Sequence, residues 1–214
     1  MIFIGDEPQM DIERYVSTLL DAADALGVER IVTLGGVYGE LPYDKERPIS
    51  CVYSLPEMKA EIEDLAVTLS DYHGGASIGS MICKRAGERG MQHMGFYAFV
   101  PTYNFANATQ IGNTIQIEND FASWLGVMRR INFMLKTRFD LTELEDKSIE
   151  LKAALDEKIE QLASVAPQLN IQEYLAQLNE DFEEVTFNPL DDVWQNEIRR
   201  LFDGSESDSD ENNS

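Results

Sequence analysis

Apolar residues along the first hundred positions alternate between two rhythms. Ile2-Phe3-Ile4 is a short apolar run ended by Gly5 and predicts a buried strand. From Asp11 onward, Ile12, Val16, Leu19, Leu20, Ala23 and Leu26 recur at three- and four-residue spacing. Asp11 stands where a helix is capped and Gly27 where one ends, so a helix is predicted between them. Arg30-Ile31-Val32-Thr33-Leu34 reads as a strand stopped by Gly35-Gly36, and Ile49-Ser50-Cys51-Val52-Tyr53 as another. Pro56 starts a helix in which Met58, Ile62 and Leu65 share a face, and Gly74-Gly75 break the chain again. Ile78, Met81, Ile82 and Ala86 form the stripe of a helix ending near Gly90, and Phe96 to Val100 is a strand halted by Pro101. Strands and helices interleaved in this way imply an α/β fold: a mixed sheet flanked by helices.

Beyond Pro101 the pattern changes. Tyr103 to Thr114 is rich in Asn, Thr and Gly and predicts a surface loop. Helices follow at about Asp120–Lys136, Thr142–Ala163, Ile171–Glu180 and Leu190–Phe202. Leu144, Leu151, Leu155, Ile159 and Leu162 give the second of these a stripe that packs on its own domain rather than forming a coiled coil. The predicted organisation is an α/β domain over residues 1–138, an acidic helical extension packed on it over 139–202, and a disordered acidic tail over 203–214.

Charge supports that division. The chain carries 17 Lys and Arg against 39 Asp and Glu, a net −22, of which −6 lies in residues 1–138 and −16 in 139–214. The last twelve residues hold five acidic side chains, no basic one and no large apolar group, too little to offset ordering. So acidic a chain cannot release counterions from a nucleic-acid backbone, nor is it drawn to an anionic membrane. No apolar run reaches the roughly 18 residues of a spanning helix, and nothing before Arg14 is basic as a secretory signal requires. Cys51 and Cys83 both sit in apolar stretches and read as buried, reduced thiols of a cytoplasmic protein. His73 and His93 are the only histidines, without CxxC or HExxH spacing, so neither a metal nor a cofactor is predicted.

Candidate chemistry narrows to the glycines. Gly74 and Gly79 have P-loop spacing, but Ser80 stands where the phosphate-binding Lys is required, and no GxGxxG occurs. Gly75-Ala76-Ser77-Ile78-Gly79 matches the nucleophile elbow formally. The preceding Ser70-Asp71-Tyr72-His73 is unlike a central strand, and His93 is the sole downstream histidine, so glycines that allow close packing are preferred. The carboxylate pairs Asp6-Glu7, Glu183-Glu184 and Asp191-Asp192 read as solvated charge, and Asp120, like Asp11, as a helix-start residue.

Several segments, taken in order, resemble the proteasome assembly chaperone family. They are Gly5-Asp6-Glu7-Pro8, Arg30-Ile31-Val32-Thr33-Leu34-Gly35-Gly36 with Leu41-Pro42, and Tyr72-His73-Gly74-Gly75. Phe99-Val100-Pro101-Thr102-Tyr103, Asp140-Leu141-Thr142-Glu143-Leu144 and Pro189-Leu190-Asp191-Asp192-Val193-Trp194 continue the likeness. It runs from about Ile2 to Asp203, and its helical end resembles the prokaryotic branch. The resemblance implies a phosphorylase-like three-layer sandwich, self-association, and binding of proteasome α-type subunits. Two departures stand out. Prokaryotic relatives begin with one further βαβ portion, whereas this chain starts at what reads as an internal strand. The end, Asn212-Asn213-Ser214, lacks the hydrophobic-Tyr-any residue tail with which relatives dock proteasome pockets.

The leading expectation is therefore a non-catalytic, cytoplasmic protein-binding module that forms homo-oligomers and holds a proteasome subunit or another protein. A sheet beginning in mid-domain would leave apolar surface at Ile2, Phe3 and Ile4 for a partner or a second copy to cover. The competing expectation is a phosphorylase-like small-ligand-binding protein or enzyme. Its cleft would be lined by Gly35, Gly36, Gly74, Gly75, Ser77 and Tyr103, with an anion at the helix N-terminus.

Overall fold

The computed structural model describes residues 1–69, 77–104 and 114–188. The elements run α1 (Ile12–Ala25), β1 (Arg30–Gly39), β2 (Ile49–Tyr53), α2 (Lys59–Glu63, led in by a 3-10 turn at Pro56–Met58), β3 (Thr68–Leu69) and α3 (Ile78–Glu88). They continue with β4 (Gln92–Asn104), β5 (Thr114–Gln116), α4 (Phe121–Leu135), α5 (Thr142–Val165) and α6 (Ile171–Glu180).

β4 is the axis of a five-stranded mixed sheet ordered β1-β4-β2-β3, with β5 also on β4. β1 lies parallel to it from Arg30 opposite Gln92 to Gly39 opposite Pro101. β2 runs antiparallel, pairing Ile49–Tyr53 with Ala98–Met94. Side chains fix the β1 register as well. Arg30 donates from Nε and Nη2 to Gln92 Oε1 at 2.9 and 2.7 Å, and from Nη1 to Glu61 Oε1 at 2.6 Å.

Period-two alternation sends β4 side chains to two different layers. Met94, Phe96 and Ala98 join Ile49 and Cys51 of β2 in an apolar core closed by Met58, Ile62 and Leu65 on one side and Val127, Ile131 and Met134 of α4 on the other. On the opposite face α1 and α3 pack together through Val16, Leu20, Ala23, Ile82 and Ala86, with Met91 and Ile31 beneath. Helices thus cover both faces of the sheet. A third cluster joins Tyr103, Ile115 and Ile117 to Leu155, Ile159, Ile171 and Leu175, which seats α5 and α6 on the far end of β4 and on β5. Tyr103 donates to Leu41 O at 2.6 Å and meets Tyr174 edge-on, while Tyr43 donates to Asp156 Oδ1 at 2.5 Å.

Two buried arginines fasten the loops. Arg47 donates from Nε to Asp120 Oδ2 at 2.8 Å and from Nη1 to the carbonyls of Tyr43 and Lys45. Arg130 donates to the carbonyls of Leu65, Gly126 and Ala66. Its guanidinium also lies 4.7 Å over the Phe187 ring and 3.5 Å from Glu46 Oε1. Glu46 in turn accepts from Phe187 N at 3.3 Å, so residues 182–188 lie strapped against α4. A buried cation is tolerable here because oxygens and a ring face meet its donors.

Several boundaries differ from the sequence expectation, each for a physical reason. Ile2-Phe3-Ile4 is not a strand but exposed, irregular chain. A three-residue segment with no neighbour hydrogen-bonded to it cannot hold a strand by itself. β1 does not stop at Gly35-Gly36, because a flat backbone there makes room for the Tyr97 ring: a Cβ on Gly35 would stand 2.8 Å from Tyr97 Cδ1. β4 runs through Pro101 to Asn104, so Tyr103 is a strand residue rather than a loop residue. Pro101 falls past Met94–Ala98, the stretch paired on both sides, where a missing N–H leaves no gap between two full ladders. Asp11 and Asp120 do precede helices, but neither side chain caps one. Asp11 adopts a left-handed φ of 54°, and the Asp120 carboxylate is spent on Arg47 and Ser123. The predicted helix at Leu190–Phe202 and the tail over 203–214 lie outside the described residues.

Candidate functional site

The polar face of β4 and the start of α3 form the candidate site. His93, Gly95 and Tyr97 alternate with the core residues Met94, Phe96 and Ala98, and so project to the α3 side beside Thr33 and Gly35 of β1. Tyr97 is the hub. Its ring lies against Gly35, and its hydroxyl is 3.1 Å from Ser77 Oγ. Ser77 is the N-cap of α3, with extended φ −74° and ψ 161°, and its Oγ accepts from Ser80 N at 3.2 Å. Ser80 Oγ lies 3.1 Å from the same oxygen.

Glycines let the helix sit this close. A Cβ on Gly79 would stand 2.6 Å from the Tyr97 hydroxyl and 3.3 Å from Thr33 Oγ1. Farther along α3, a Cβ on Gly87 would meet the Ser54 carbonyl oxygen at 2.7 Å.

His93 is fully buried, with Nε2 3.1 Å from Thr33 Oγ1. Among the described residues its Nδ1 has no hydrogen-bond partner. Burial pushes its pKa down to about 4, so the ring is neutral at neutral pH. Ser54 supports the same strand, accepting from His93 N at 2.7 Å and donating to Met91 O at 2.8 Å. Burial likewise pushes the Cys83 thiol up to about 11 and the Cys51 thiol up to about 12, which keeps both protonated.

The anion position at the helix start is filled by the chain itself. Glu7 Oε1 accepts from Ile78 N at 3.2 Å, placing a carboxylate where the helix dipole favours negative charge.

Of the six cleft residues expected from the sequence, the structure brings Gly35 and Ser77 together, through Tyr97. Gly36 is exposed on the next, opposite-facing position of β1, and Tyr103 lies in the cluster beneath α5 and α6. Gly74 and Gly75 lie outside the described residues. The serine of the formal elbow is committed to the cap and to Tyr97, while the described ring contact of His93 is to Thr33, so among the described residues Ser77 and His93 do not pair. Ile2, Phe3 and Ile4 project into solvent. Sequence reasoning missed Tyr97, Thr33, His93 and Glu7. The alternation His93-Met94-Gly95-Phe96-Tyr97-Ala98 carries the signal for the β4 residues, whereas nothing local announces a contact between Glu7 and Ile78.

Two grooves lie elsewhere. One of about 600 Å³ lies at the α5–α6 turn, lined by Glu160, Ser164, Pro167 and Asn170. The other, of about 520 Å³, lies beside the strap, between Arg129, Phe133, Leu141 and Phe187. Among the described residues no cluster of His, Cys, Asp and Glu has the makings of a metal centre, and no helix is long and apolar enough to cross a membrane.

A helix-covered mixed sheet whose polar seam is wired internally defines a class of α/β proteins. The chain belongs to the PAC2 family, whose sequence profile matches residues 1–159. This agrees with the resemblance to proteasome assembly chaperones drawn from the sequence. Solved structures share the fold. A PAC2 family protein from Streptomyces avermitilis superposes with a TM-score of 0.62 at 22% identity, over 75% of this chain and 62% of that one. A proteasome-assembly chaperone homologue from Mycobacterium tuberculosis gives 0.60 at 20% identity, over 72% and 59%. An archaeal proteasome activator from Pyrococcus furiosus gives 0.55 at 14% identity, over 72% and 62%. The chain therefore spans less than two thirds of the length of each. No curated protein matches the sequence significantly.

Proposed function

We propose that this chain is a proteasome-assembly-chaperone-like module of the cytoplasm, which self-associates and holds a proteasome-related protein partner without catalysing a reaction. The PAC2 family match over residues 1–159 carries the reading, since it spans the whole sheet and most of α5. Two structural neighbours are a proteasome-assembly chaperone homologue and a proteasome activator, which supports a partner of that kind. The polar seam supports a scaffold role too: Ser77, Tyr97 and Glu7 spend their polar atoms on one another and on α3. Among the described residues the polar atoms of this seam are thus committed to holding the fold, which leaves the surface around it for recognition.

The test is reconstitution with purified proteasome α-type subunits. Co-elution of a defined complex, with faster appearance of assembled rings, is the expected result. Subunits that assemble at an unchanged rate and elute apart from the chain at micromolar concentrations would overturn the proposal.

A further inference from the structure

We propose that the strap, residues 182–188, is a ligand held in cis. The surface beneath it is then a docking site for an extended segment of a protein partner that carries a carboxylate three residues before an aromatic ring. The inference rests on, and deepens, the partner-binding half of the proposed function.

The strap shows how such a segment sits. Its pattern is Glu184-Val185-Thr186-Phe187. The Glu184 carboxylate accepts from Glu46 N at 2.8 Å and lies 3.4 Å from Lys45 Nζ. Three residues on, the Phe187 ring is buried, with the Arg130 guanidinium 4.7 Å from its centroid and Phe133 meeting it edge-on at 5.7 Å. Phe187 N donates to the Glu46 carboxylate. The surface thus reads an acid, a ring and the backbone N–H of the ring's own residue. Val185 and Thr186, between the anchors, are exposed.

The receiving surface is built without the strap. Arg130 is fixed by the carbonyls of Leu65, Ala66 and Gly126, and Arg47 fixes the 43–45 stretch through the carbonyls of Tyr43 and Lys45. None of these bonds needs Phe187, so the ring slot and the cations are preorganised for another occupant. Both lie within residues 1–159, which the family profile matches, whereas the strap lies beyond them.

The strap itself is lightly held. Residues 183–187 belong to no helix or strand, and among the described residues the Glu46 carboxylate is the one partner of their backbone N–H groups. Segments with so few backbone bonds open first. When the strap leaves, Lys45 loses its described carboxylate and Glu46 N its acceptor, so the vacated position takes an acidic residue. The slot between Arg130 and Phe133 takes a ring. Beside it a groove of about 520 Å³ runs on between Arg129, Asn132 and Leu141. A partner segment that fills this space as well as the two anchor points outcompetes the strap.

Fluorescence anisotropy of a labelled peptide with the sequence of residues 181–188, Asp-Phe-Glu-Glu-Val-Thr-Phe-Asn, tests this on the full 214-residue chain. In Glu184→Ala with Phe187→Ala the strap loses both anchors, and the peptide is expected to bind with a Kd of about 0.1 mM. A tethered competitor acts at about 1 mM or more, so the wild type should bind the peptide at least about tenfold more weakly. A peptide with alanine at both anchor positions should bind neither chain. Adding Lys45→Glu to the opened chain should weaken binding at least about tenfold, and a peptide with lysine in place of its Glu184 should restore it. A folded, opened chain that leaves the peptide free at about 1 mM would overturn the proposal. So would equal affinity in the wild type and the opened chain, or indifference to the charge at Lys45. Should circular dichroism show that Phe187→Ala unfolds the chain, Glu184→Lys alone, at an exposed position, opens the strap and is held to the same outcomes. Only the chain and the peptide are present, so failure of this site and failure to capture proteasome subunits are separate results.

Discussion

The two faces of β4 are built from one strand by opposite means. Toward α2 and α4, Met94, Phe96 and Ala98 enter a dry cluster in which shape and apolar area do the holding. Toward α3, His93, Gly95 and Tyr97 form a layer of hydrogen bonds and bare backbone, with Gly79 and Gly35 cut back to admit one ring. The first face tolerates no loss of volume. The second tolerates no gain of it, and titrates. One strand can therefore report separately on packing and on polarity.

The largest effect expected comes from the dry face. Phe96 is fully buried against Ile49, Cys51 and Met94, so Phe96→Ala should cost about 3–5 kcal/mol through lost transfer energy and the cavity left behind. Urea denaturation measures it. A cost below about 1 kcal/mol would mean that this layer collapses freely and that the contrast between the faces is unreal.

Acid reads the other face. The native pKa of His93 is pushed down to about 4 from the ordinary 6.5, so between these values the unfolded chain binds a proton that the native one refuses. Stability from this group is then complete above pH 6.5 and falls as the pH drops toward 4, by about 3 kcal/mol in all. In His93→Gln that component disappears, so the two stability–pH curves should converge on acidification. Curves that stay parallel from pH 7 to 4 would show that the imidazole accepts its proton inside the fold.

Much of this architecture was legible from residue pattern. α6 and β2 begin and end where the periodicity puts them, because Ile171, Leu175 and the run Ile49–Tyr53 carry unbroken period signals. The stripe Ile78, Ile82, Ala86 likewise marks the buried face of α3. The start of β4, before Phe96, was illegible for the reason that makes it interesting: His93 and Gly95 interrupt the apolar run, and their place in the sheet depends on α3 covering them. Gly35-Gly36 resembled a stop because glycine usually ends strands, whereas here the demand for glycine comes from Tyr97, 62 positions away from Gly35. Tyr103 was drawn to the wrong end of the fold by the loop-like composition after it. The Glu7–Ile78 contact is purely tertiary.

The smallest effect is the sharpest test of the seam, since its sign should reverse. A methyl group on Gly79 would stand 2.6 Å from the Tyr97 hydroxyl, which is itself held by Ser77 at 3.1 Å and cannot swing aside freely. Alanine is favoured over glycine by at most about 1 kcal/mol in a helix, and by less in the first turn where Gly79 stands, while crowding of this kind costs about 1–3 kcal/mol. Gly79→Ala in the wild type should therefore lose about 1 kcal/mol net. Tyr97→Phe alone should also lose about 1 kcal/mol, as the bond to Ser77 goes. With the hydroxyl removed, the nearest remaining atoms to the new methyl are Thr33 Oγ1 at 3.3 Å and the ring carbon Cζ at 3.6 Å. In the Tyr97→Phe background, then, Gly79→Ala should stabilise the protein by up to about 1 kcal/mol. A double-mutant cycle isolates that coupling because the two residues touch. Strict additivity would mean that Gly79 is there for some reason other than the tyrosine beneath it.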